Sequence, residues 1–123
     1  MSDPCTAFKT AIEDKDVDAA VALFAVDAVF NSPVVHKPYR GREALRVILG
    51  AVVQVFSDFR YTGEYAGERG HVLEFAATVG DRELQGVDIL RAGDGGELVE
   101  LTVLVRPYSA ATVLREQMAA LLT

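Results

Sequence analysis

Asp88 is the residue in this chain best placed to do chemistry. The run Glu83–Ala92 alternates as a β-strand, and its period of two puts Leu84, Gly86, Asp88 and Leu90 on one face. A carboxylate on an apolar, glycine-thinned face is costly to bury unless it is protonated, hydrogen-bonded or paired. Asp88 is therefore either a satisfied structural contact or the polar group of a ligand pocket. In a pocket it would donate a hydrogen bond when neutral, or exchange a proton near neutral pH. Glu74 lies mid-strand between Leu73 and Phe75, on the face carrying Val72, Ala76 and Thr78. If that face lines the same pocket, Glu74 and Asp88 divide acid and base roles; otherwise Glu74 points to solvent. His36 shares a Pro-containing loop with Tyr39, where a histidine either serves as a base at a pocket rim or is simply solvated.

Other reactive types carry less. Cys5 has no His or Lys beside it to activate a thiol and reads as core packing. His71 begins a strand beside a turn and reads as a surface residue. Neither histidine has a Cys or His partner at metal-ligand spacing, so no metal is expected. Gly93–Gly96 is a hairpin turn and not a phosphate loop, because no helix follows it. No cofactor motif is present. Arg106, at a strand end, would hold a ligand carboxylate or pair with surface acids.

The elements that must position these groups follow from the hydrophobic periods. Ser2 or Asp3 caps a helix with Pro4 in its first turn, and Cys5, Phe8 and Ile12 form its apolar stripe. Asp16 caps a second helix with Val17, Ala20, Val21 and Phe24 on one face. A short strand, Ala28–Phe30, ends at Asn31-Ser32-Pro33. After a loop over Val34–Arg40, Gly41 precedes a long helix marked by Leu45, Ile48, Leu49, Val52 and Phe56. From Phe59 the period becomes two, with Phe59, Tyr61 and Tyr65 on one strand face. Strands joined by short turns then run to Arg106 as an antiparallel meander, and Ser109–Leu122 forms a last helix. In the final strand Val99, Leu101, Val103 and Val105 make one apolar face. Leu98, Thr102 and Leu104 make the other partly apolar, which calls for a partner subunit and predicts a homodimer.

The 123 residues make one α+β domain, 50% hydrophobic and 24% charged. A net charge of −6 argues against nucleic acid, and no basic amphipathic helix favours a membrane surface. With one cysteine, no apolar spanning stretch and no basic-then-apolar leader, a cytoplasmic protein is expected.

This order of elements resembles the SnoaL-like branch of the nuclear-transport-factor-2-like superfamily. The resemblance rests on Asp16–Phe24, Asn31-Ser32-Pro33, Gly41–Leu45 and Gly86-Val87-Asp88, and spans nearly the whole chain. It implies a cone: a curved antiparallel sheet wrapped around N-terminal helices, with a C-terminal helix and a pocket at the open end. Members include isomerases, cyclases and plain binding proteins, so fold alone does not settle function. Set against the ketosteroid isomerases, the general-base Asp position is Ser32, the oxyanion-hole Tyr position is Phe8, and the neutral oxyanion-hole acid matches Asp88. That family is the standard case of such an acid. Isomerisation by the same residues is therefore not expected.

The residues point to a pocket, and the resemblance implies a small, mostly apolar, carbonyl-containing molecule in it. Asp88, Glu74 and His36 are its candidate acid–base groups. Tyr39, Tyr61, Val99, Leu101, Val103 and Phe8 are the candidate ligand contacts. An isomerase or cyclase, a non-catalytic ligand binder and a protein-interaction domain all remain compatible with this reading.

Overall fold

Asp3 starts the first helix: its carboxylate accepts from the Cys5 N–H at 2.8 Å, and α1 runs Pro4–Glu13. The computed structural model describes residues 3–122, so Ser2, the other candidate cap, lies outside the described residues. The chain turns through Asp14 and Lys15, the latter at φ 56°. Asp16 then caps α2 (Val17–Ala22), accepting from the Ala19 N–H at 3.1 Å.

Phe24 is not helical but opens β1 (Phe24–Asn31), a strand much longer than its sequence signal. Pairing overrides periodicity here: Phe24 lies opposite Leu98, and the Leu98 N–H donates to the Leu23 carbonyl at 2.9 Å. A two-residue strand, β2 (Tyr39–Arg40), pairs with β1. Gly41, at φ 95°, leads into α3 (Arg42–Val55). The Arg42 guanidinium ties the start of that helix to β1, donating to the Phe24 carbonyl from Nε at 2.8 Å and Nη2 at 2.6 Å. Phe56, expected on the helix stripe, instead opens β3 (Phe56–Ala66). The strands β4 (Gly70–Val79), β5 (Arg82–Ala92) and β6 (Leu98–Arg106) and the helix α4 (Tyr108–Leu122) follow.

The six strands lie in the order β2-β1-β6-β5-β4-β3. From β3 to β6 the sheet is the expected antiparallel meander, but β1 joins β6 in parallel, so the sheet is mixed. The long excursion through α3 and the meander returns the chain beside β1 in the same direction. The helices cover one face. Leu73, Phe75, Ala77 and Val79 of β4, and Leu84 and Leu90 of β5, are buried there against Phe8, Ile48, Leu49 and Leu114. Each such large apolar side chain contributes roughly 1.5–3 kcal/mol on burial. Among the described residues no helix is long and apolar enough to cross a membrane.

The sheet pairing shifts register at several points, and two of these shifts move candidate residues. In β3 the register shifts between Tyr61, opposite Phe75, and Gly63, opposite Glu74. Tyr61 consequently faces the core while Tyr65 faces out, 58% exposed, and the two do not share a face as their spacing implied. In β6, Glu100 pairs with Arg91 and Leu98 with Ala92, which leaves Val99 in the bulge. Leu98 and Leu101 are therefore both buried, and Val99 is not on the face of Leu101 and Val103.

Candidate functional site: an apolar cavity with one buried acid

Between α1, α3, α4 and the covered face of the sheet lies a cavity of about 260 Å³. It is lined almost wholly by apolar side chains and is slightly smaller than the usual ligand pocket of roughly 300–1,000 Å³. Phe8 and Ile12 of α1, Ile48, Leu49, Val52 and Val53 of α3, and Leu114 and Met118 of α4 form its helical wall. Phe59 and Phe75 stack beneath it, with ring centroids 5.0 Å apart and planes at 28°. Gly86 makes that stack possible. A Cβ on Gly86 would lie 2.4 Å from the Phe75 ring and 2.7 Å from the Leu104 carbonyl, so only glycine lets Phe75 lie over β5.

Asp88 opens into this cavity. It is 7% exposed and is the one buried polar or charged residue among the described residues. The Tyr61 hydroxyl donates to its Oδ2 at 3.0 Å, reaching across β4. Among the described residues no other group hydrogen-bonds this carboxyl, so Oδ1 is left to the cavity. Burial pushes the Asp88 carboxyl up to about 7, against the opposing pull of the Tyr61 hydrogen bond. Burial, together with the neighbouring Asp88 charge, holds the Tyr61 phenol well above its ordinary range, so it stays a donor.

The remaining candidates divide cleanly. Phe8, Tyr39, Leu101 and Val103 line the cavity, and Tyr61 supports Asp88 from behind. Glu74 does not join them. It alternates with the buried Leu73 and Phe75, faces the opposite side of the sheet, and accepts from the Tyr65 hydroxyl at 2.7 Å. His36 is exposed on its loop and does not line the cavity, though its neighbours Val34 and Val35 do. Val99 is excluded by the β6 bulge. Ser32 lines the cavity, but its Oγ accepts from the N–H groups of Val34 and Val35 at 3.1 and 3.2 Å and so holds the loop turn. Sequence reading missed Phe59 and Phe75 as cavity residues, and also Lys15 and Arg115 at its edge. The pairing of Phe75 with Gly86 was the available signal for the first two, once the register was known.

A second polar cluster lies elsewhere beneath α1. His71, read as a surface residue, is only 12% exposed at its side chain. Its Nε2 is 3.2 Å from Asp3 Oδ2 and its Nδ1 is 2.9 Å from Glu64 Oε2. Donor atoms of Asp3, Cys5 and His71 lie within 4.8 Å of one another, a proximity that linear spacing hides. Burial and the Asp3 carboxylate push the Cys5 thiol up to about 11, so it is unreactive, and the carboxylates already serve as helix cap and ion-pair partners.

A sheet covered on one side by helices, with an apolar cavity between, is the cystatin-like or nuclear-transport-factor-2-like architecture. The model of the SnoaL-like domain matches residues 5–101, and the chain belongs to that family. It is similar to a steroid delta-isomerase from Pseudomonas aeruginosa: 39% identity, 99% of this chain and 93% of that one covered, TM-score 0.91. It is also similar to an uncharacterized bacterial protein with a cystatin-like fold from Silicibacter pomeroyi: 32% identity, 98% and 85% covered, TM-score 0.91. A putative SnoaL-like polyketide cyclase from Shewanella denitrificans shares the fold at 14% identity, with 95% of each chain covered and a TM-score of 0.69. No curated protein matches the chain.

Proposed function

We propose that this protein binds a small, mostly apolar carbonyl compound in the cavity, and that Asp88 exchanges a proton with it as the acid–base group of an isomerase or cyclase. One observation carries the reading: Asp88 is a half-satisfied carboxyl, poised near neutrality, with Oδ1 directed at an otherwise apolar space. Neutral Asp88 donates to the carbonyl oxygen and polarises it; ionised Asp88 accepts a proton from the adjacent carbon as the electron pair moves to that oxygen. Tyr61 keeps the carboxyl oriented in both states. The 39% identity to a steroid delta-isomerase supports a carbonyl ligand.

A second reading, binding without turnover, is favoured by what surrounds Asp88. Phe8 and Ser32 stand where ketosteroid isomerases carry a donor and a base, and neither Glu74 nor His36 reaches the cavity. The outer face of the sheet, with Leu104 54% exposed and Tyr65 beside Glu74, supports a second copy of the chain as partner, so the working unit we propose is a homodimer.

The test is exchange of the protons next to the carbonyl of a bound apolar ketone in deuterated buffer, followed by NMR for the native chain and Asp88→Asn. Exchange that needs Asp88 supports the enzyme. Binding that weakens above neutral pH without exchange supports the binder. No binding to either chain overturns both.

A further inference from the structure

The cavity carries a second, oppositely charged polar feature at its edge. Among the described residues, three of those lining it are charged: Asp88 inside, and the exposed Lys15 and Arg115. The chain has 18 acids and 12 lysines and arginines, yet among the described residues no acid other than Asp88 lines the cavity. Asp14 and Asp16 flank Lys15 in sequence, and Glu116 follows Arg115, but all three are exposed and line nothing. Lys9, Arg42, Arg46, Arg60, Arg82 and Arg91 all have carboxylate partners. Among the described residues, Lys15 and Arg115 have none, nor do Lys37, Arg40, Arg69 and Arg106, but of these six only Lys15 and Arg115 line the cavity. They come from different elements, the α1–α2 turn and α4, and both line this cavity.

Resting on the ligand site proposed above, we infer that the ligand is an amphipathic keto acid, its carbonyl at Asp88 and its carboxylate at the exposed edge that carries Lys15 and Arg115. The opposite orientation is disfavoured. An ionised carboxylate inside would be desolvated beside another acid, whereas at the rim it keeps water and gains two cations. The apolar body then fills the space between, against Phe59, Phe75 and the α3 wall. The two anchors fix both register and direction of the ligand, which one buried acid cannot do alone.

The test compares 6-acetyl-2-naphthoic acid, whose apolar rings separate a ketone from a carboxylate, with its methyl ester, by calorimetry below the titration of Asp88, on the native chain and on Lys15→Asn/Arg115→Gln. Asn suits the positive φ of Lys15, and both positions are exposed, so the fold is expected to survive. The native chain should prefer the acid by about five- to tenfold, and the double variant should lose that preference while binding the ester unchanged. Equal binding of acid and ester by the native chain, or a preference that survives in the variant, overturns the inference and leaves the cavity site standing. Failure of both compounds to bind the native chain overturns the ligand site itself.

Discussion

Tyr61 and Asp88 lie on strands two apart in the sheet, yet the tyrosine hydroxyl donates to the carboxyl at 3.0 Å across the strand between them. This bond favours the ionised acid, while burial favours the neutral one, and burial wins. Removing the bond in Tyr61→Phe should raise the Asp88 carboxyl further. Carbon-detected NMR titration of the Asp88 carboxyl checks this; an unchanged or lowered titration would contradict the geometry.

Burial of Asp88 also shapes stability. Its carboxyl sits at about 7 in the folded chain against an ordinary 3.8, so between those values the folded state holds more protons than the unfolded state. Stability contributed by this group is full below pH 3.8, falls as pH rises through that window, and levels off above about 7. Asp88→Asn should flatten that slope and, above neutrality, match or exceed the native chain by up to a few kcal/mol on an order-of-magnitude scale. Chemical denaturation across pH gives the answer.

Gly86 is expected to tolerate no side chain. Gly86→Ala places a methyl against the Phe75 ring and the Leu104 carbonyl, and overpacking of this kind costs roughly 1–3 kcal/mol. Thermal unfolding measures it, and a neutral result would mean the ring moves freely.

Val103 lies in the cavity wall directly opposite Asp88 in the β5–β6 pairing. Val103→Phe should fill the space and weaken binding of an apolar ketone about tenfold or more, with a small change in melting temperature because the cavity can take the volume. Ligand titration and a melt on the same sample separate the two effects.

The Asp3 side chain both caps α1 and meets His71. Asp3→Ala should cost about 0.5–2 kcal/mol through the lost cap. A double-mutant cycle with His71→Ala should show a coupling below about 1 kcal/mol, because Asp3 is half exposed and the pair is screened.

Much of this molecule is legible in its residues. Helix starts are, because Asp3 and Asp16 cap with their own side chains and Gly41 sits at the entry to α3. The inward face of β5 is, because Leu84, Asp88 and Leu90 keep strict alternation through a regular register. What fails is parity after a bulge. One extra residue near Thr62 separates Tyr61 from Tyr65, another at Val99 brings Leu98 inward, and neither leaves a mark in composition. Strand boundaries at Phe24 and Phe56 were hidden for a related reason, since both residues satisfy the helical period and are claimed by sheet pairing instead. Glu74 was undecidable because its fate depends on which side the helices cover, a tertiary fact. Lys15 and Arg115 are 100 positions apart in the sequence, so only the folded chain brings them to one cavity.

The bulge in β3 has a consequence for measurement. It sets Tyr61 against Asp88 on the covered side of the sheet and Tyr65 against Glu74 on the other, each phenol donating to a carboxylate, at 3.0 and 2.7 Å. The same chemical pair thus exists twice in one strand, once dry and once wet. With no tryptophan in the chain, and only Tyr39 and Tyr108 as further phenols, the two tyrosines form an internal comparison: the spectroscopic difference between them reports the combined effect of burial and of the raised Asp88 carboxyl on a phenol–carboxyl bond.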